Sequence, residues 1–91
     1  MRNDSTSYEE TDMTDWTPEE IHAARDLLGY YGYPGGYAPG GFTTVLIHAL
    51  ERADMWNTER LLMGFPHWRR PLEVLRTEGG NVLSQRLEGD G

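Results

Sequence analysis

The 91-residue chain contains no cysteine and no lysine. Without cysteine there is no thiol nucleophile, no disulfide and no cysteine-ligated zinc. Without lysine there is no amine for covalent catalysis and none to complete a GK[ST] phosphate loop. Serine occurs only at Ser5, Ser7 and Ser84, poor material for a Ser-His-Asp triad. The three histidines, His22, His48 and His67, fall on different segments with no HxH or HxxxH spacing, so no single helix assembles a metal site. No apolar run approaches the ~20 residues of a membrane span. The first residues are acidic and polar, unlike a signal peptide. The expectation is a non-enzymatic protein with no catalytic residues, no metal, no cofactor and no membrane partner.

Charge narrows the partners further. Fifteen acidic residues against eight arginines give a formal charge of −7, which argues against a nucleic-acid binder built on phosphate neutralisation. Hydrophobic residues are 37% of the chain, helped by three Trp, five Tyr and two Phe. Aromatics bury the most area per residue, and a chain this short needs them to close a core. Self-association would cover any surplus, so a homo-oligomer is expected.

Residues 1–15 (MRNDSTSYEETDMTD) carry few large apolar side chains and many acidic ones. Such a segment cannot offset its ordering entropy by burial, which predicts a disordered acidic tail ahead of one helical domain over 16–88. Structure begins at Thr17-Pro18-Glu19-Glu20, an N-cap, a Pro at N1 and a capping-box Glu at N3, with Trp16 and Ile21 placed as a hydrophobic staple. Ile21, Ala24, Leu28 and Tyr31 then recur at helical spacing, and Gly32 and Pro34 end a helix over about 18–31. Phe42, Val45, Leu46, Ala49, Leu50 and Ala53 form the apolar stripe of a second helix, with Ile47 at its border. Asp54 caps a third helix over about 55–63. Trp68, Leu72 and Leu75 share a face after it, although Pro71 requires an irregular start or a restart. Asn81 is placed to cap a last short element bearing Val82, Leu83 and Leu87. No alternating strand pattern appears. The fold class is all-α, a small bundle of three main helices plus short C-terminal helical segments.

Between the first two helices lies Gly32–Gly41 (GYPGGYAPGG), with five Gly and two Pro in ten residues. It forbids regular helix and favours tight turns. Its tyrosines, Tyr33 and Tyr37, mark a packed loop rather than a plain linker. Running into the second helix, it leaves the N–H groups of Phe42, Thr43 and Thr44 with the helix dipole behind them, a seat for an anion. No strand precedes it, so the dinucleotide fingerprint does not apply.

The run Pro39-Gly40-Gly41-Phe42-Thr43-Thr44, then Leu46, Ala49, Arg52-Ala53-Asp54 and Asn57, then Gly64-Phe65-Pro66, resembles a widespread set of small bacteriophage proteins. The pattern reads approximately PGSFTxxLxxAxxxAD..N....GFP in the phages of actinobacteria. The similarity covers roughly Leu28–Leu75. Here Gly41 replaces the usual Ser, read as the N-cap, and Pro71 interrupts a commonly unbroken last helix. The resemblance implies the cytoplasm of an infected bacterial host, and it carries no common function with it.

Two candidate sites follow. Tyr30, Tyr31, Tyr33, Tyr37, Gly40, Gly41, Phe42, Thr43, Thr44 and His48 would hold a small anionic ligand, the rings stacking on a base and the helix start taking its charge. Arg60, Trp68, Arg69 and Arg70 have the composition of a protein-binding hot spot. The functional expectation is a phage accessory protein that docks on a host protein and so counteracts host defence; the alternative is sequestration of a small anionic, nucleotide-like signal.

Overall fold

The computed structural model describes residues 16–89, and side chains as far as residue 87. The acidic segment 1–15 lies outside the described residues. Five α-helices account for most of the remainder: α1 (Pro18–Tyr31), α2 (Gly41–Arg52), α3 (Met55–Gly64), α4 (Arg69–Glu78) and α5 (Gly80–Gly89), with a 3-10 turn at Pro66–Trp68 before α4. The described residues contain no strand. The protein is an all-α bundle in which the C-terminal elements are full helices rather than short segments.

Helix α1 starts where its cap residues put it. The Thr17 hydroxyl accepts from the Glu20 N–H and the Glu20 carboxylate accepts from the Thr17 N–H, the reciprocal pairing that satisfies two otherwise unpaired donors. It ends at Gly32, whose left-handed φ of 80° lets the chain turn off the helix. Its buried arc is wider than the predicted stripe. Ala23 and Leu27 join α2, α3, α4 and Trp68 in one core cluster, while Ala24 and Leu28 join Trp16, Val74, Leu83 and Leu87 in a second. The central helix thus serves two cores at once, and even the acidic Glu20 and Asp26, outside the apolar stripe, are buried.

Helix α2 is rotated relative to the predicted stripe. Leu46, Ile47 and Leu50 face inward, and Ile47 is only 1% exposed, whereas Phe42 and Val45 point outward. Its N-cap is Gly40, with Gly41 the first helical residue, and no side chain caps it. Asp54 caps α3 by accepting from the Asn57 N–H. Pro71 is accommodated because it is the third residue of α4, inside the first turn, where no intrahelical N–H bond is lost. The 3-10 turn supplies the irregular start that this proline demanded. Gly79, at φ 96°, then joins α4 directly to α5. The Gly79 carbonyl accepts from the Leu83 N–H, and Asn81 supplies no cap bond.

Candidate functional site

The glycine-rich loop is pinned along its length. The Tyr33 N–H donates to the Leu28 carbonyl and the Tyr37 N–H to the Arg25 carbonyl, at 2.8 and 2.9 Å. Arg25 donates to the Gly35 carbonyl at 2.7 Å and Ser84 to the Pro34 carbonyl at 2.7 Å. The loop therefore folds back over the last turns of α1 and is tied to α5 as well.

This path separates the loop tyrosines. Tyr33 packs toward the second core, where its ring occupies the space beside Gly80. Tyr37 lies over the Arg25 guanidinium, 5.4 Å from ring centroid to cation, and edge-on to His22. Tyr30 and Tyr31 stand edge-to-face with centroids 4.8 Å apart. Both hydroxyls donate to Glu51 on α2, that of Tyr31 at 2.7 Å and that of Tyr30 at 3.3 Å. His48 joins this group edge-on to Tyr30. The α2 start forms a further, separate place: the Thr44 N–H and hydroxyl both donate to the Gly40 carbonyl, and the exposed Phe42 ring leans on Phe65. The ten residues expected at one anion seat are thus distributed over four surroundings.

The Tyr–Glu51 group has its own electrostatics. Burial, then the hydrogen bond and charge of Glu51, push the Tyr31 phenol well above the ordinary tyrosine range, and nearby Arg76 offsets part of this. Tyr31, Ile47, Leu50, Glu51, Leu75 and Arg76 line a small cavity beside it. Its carboxylate presents negative charge to solvent, which suits neither a phosphate nor a carboxylate ligand. Glu51 and Arg76 were not among the expected site residues, and only their spacing from helices of then-unknown packing could have suggested them.

The expected hot spot is corrected by burial. Trp68 is 4% exposed and belongs to the first core cluster, because the 3-10 turn rolls its ring under α1. Arg69 makes a two-pronged pair with Glu59 at 3.0 and 3.1 Å, and Glu59 is held below its usual carboxylate range by that hydrogen bond. Arg70 pairs with Glu20 at 3.1 Å. Arg60 lies apart on α3, within 3.5 Å of Asn57.

The accessible apolar surface is elsewhere. Phe42 (68% exposed) and Val45 (65%) on α2, with Met55 (82%), Trp56 (76%) and Met63 (77%) on α3, stand in solvent. The two helices are joined by only Ala53 and Asp54, and the contact of Phe42 with Phe65 brings the start of one to the end of the other. They form an antiparallel hairpin. Phe42, Val45, Ala49 and Arg52 recur at i, i+3, i+7 and i+10 along its α2 side, and Trp56 and Met63 at i and i+7 along α3. The predicted "core" stripe of α2 is therefore half a surface stripe.

Among the described residues no group of three His, Asp or Glu side chains is arranged to hold a metal ion, and no helix is long and apolar enough to cross a membrane. The class that the fold defines is a small five-helix bundle. Comparison with family models, with curated proteins and with solved structures finds no match.

Proposed function

We propose that this chain is a non-catalytic binding protein that docks on a protein partner through the outer surface of its α2–α3 hairpin. The observation that carries the reading is the exposure of Phe42, Val45, Met55, Trp56 and Met63 on two consecutive helices. A standard interface covers about 800 Å² per partner. Aromatic side chains supply about 150–250 Å² each when buried, so this surface has material for one. The sequence resemblance supports a phage setting in the cytoplasm of an infected bacterium, where the partner would be a host component. Sequestration of an anionic ligand has less support, because Tyr33 and Tyr37 are committed to α5 and α1.

The test is native mass spectrometry of the tagged protein recovered from actinobacterial lysate, beside a Phe42→Glu/Trp56→Glu variant with the same circular dichroism. A retained protein or second copy that the variant loses is the expected result. A bare monomer in both samples would sink the reading. A retained small molecule that survives the double substitution would revive the sequestration reading instead.

A further inference from the structure

Resting on that docking surface, we infer that the groove between α2 and α3 receives an acidic amphipathic helix of the partner. An open groove of about 400 Å³ runs between the two helices, lined by Ala49, Arg52, Ala53, Asn57, Arg60 and Leu61. Its floor is small and apolar, its flank is cationic, and no acidic residue lines it.

That flank is unusual within this protein. Arg69, Arg70 and Arg86 are paired with Glu59, Glu20 and Glu78. Arg25 and Arg76 donate to the backbone carbonyls of Gly35 and Leu50. Among the described residues, Arg52 and Arg60 are the two arginines that engage neither a carboxylate nor a backbone carbonyl; Arg60 has only its long contact to Asn57. A chain of net charge −7 has carboxylates to spare, yet both uncommitted guanidiniums line one groove. Charge complementarity therefore calls for carboxylates from outside the described fold.

The shape says what carries them. Ala49 on α2 and Ala53 in the link just after it are small enough to let another backbone approach closely, as in helix-on-helix packing. Beyond Ala49 the same stripe continues to the exposed Val45 and Phe42, which leans on Phe65, so the cationic groove is continued along α2 by an apolar surface. The 12 residues of α2 span about 18 Å, room for roughly three turns of a ligand helix. A second copy is a poorer fit: of the acids beside the exposed α3 stripe of Trp56 and Met63, Glu59 is already held by Arg69 and Asp54 caps the helix. A phosphate backbone would leave the apolar floor and the Phe42 end uncovered.

The test uses the full chain and two fluorescein-labelled 14-residue helical peptides. They share one leucine stripe, and the flanking residues are glutamate in one and lysine in the other. Two exposed charge pairs predict that the glutamate peptide binds up to roughly thirtyfold more tightly by anisotropy. Arg52→Glu/Arg60→Glu, at exposed positions, should reverse the preference with unchanged helicity. Phe42→Glu should weaken the binding of the glutamate peptide. Equal binding of the two peptides, or a preference that survives the charge reversal, overturns the inference. So does self-association through this groove in sedimentation, or binding of a labelled DNA duplex with the same arginine dependence. If neither peptide binds while the lysate partner is still retained and lost on Phe42→Glu/Trp56→Glu, the docking surface stands and the acidic helix falls. If the lysate partner is absent too, both fall.

Discussion

Gly36 rests against the backbone of Gly29, and a Cβ on Gly36 would overlap it. A Cβ on Gly29 would in turn collide with the backbone of Tyr37. Neither glycine has a positive φ, so close approach, not conformation, requires them. The clash is with backbone, which cannot swing aside as a side chain would. Gly36→Ala and Gly29→Ala should each cost at least about 1–3 kcal/mol, read as a lower urea midpoint. Gly41→Ala meets nothing within 4 Å and replaces a helical glycine, so it should stabilise by up to about 1 kcal/mol. Equal effects at Gly36 and Gly41 would contradict this packing.

The two tryptophans of the hairpin region separate stability from binding. Trp68 fills the first core, and Trp56 stands in solvent. Trp68→Ala should cost about 3–5 kcal/mol, a large fraction of the stability of a small domain. Trp56→Ala should change stability by less than about 0.5 kcal/mol while weakening partner retention. Thermal melts of the two variants, side by side, check the assignment.

Much of the fold was legible because it is written in local chemistry. The Thr17 capping box, the Gly32 stop and the Asp54 cap each act within four residues, and the structure has all three. What was not legible depends on which elements meet. The pattern Phe42-Val45-Leu46-Ala49-Leu50 with Ile47 allows two rotations of α2, and only packing against Ala23 and Leu27 selects the one that buries Ile47. Trp68 beside two arginines reads as a surface anchor until the 3-10 turn places it under α1. The candidate site was hidden for the same reason: Arg52 and Arg60 become a pair only when α2 and α3 fold into a hairpin.

Asp26 is buried on α1, and burial raises its carboxyl above the usual range, partly offset by the His22 imidazole at 3.3 Å. A carboxyl with a raised folded pKa binds its proton more readily folded than unfolded. Its favourable contribution is therefore present below the unfolded value, near 3.8, and lost as pH rises through the folded value. Asp26→Asn should raise the melting temperature at pH 7, with the gain shrinking as pH falls toward the unfolded value. A variant that melts lower at neutral pH would show that the carboxylate is satisfied there.

Glu51 is predicted to reinforce burial in suppressing the ionisation of Tyr31. Burial, the Glu51 hydrogen bond and its charge all favour the neutral phenol, so in absorbance titration at alkaline pH Tyr31 should remain protonated well beyond the ordinary range, and Tyr30, raised by burial and by the same carboxylate, should also titrate late. The unfolded chain loses that proton near 10.0, the ordinary tyrosine value, and above it the folded state holds the proton that the unfolded state has released. Stability should therefore fall with rising pH from about pH 10. Glu51→Gln removes the charge and leaves an amide oxygen as acceptor. It should move Tyr31 back toward the ordinary range without restoring it fully, because burial remains. Tyr31→Phe should remove the latest step and leave the later-than-ordinary titration of Tyr30, and an unchanged titration in Glu51→Gln would place the cause in burial alone.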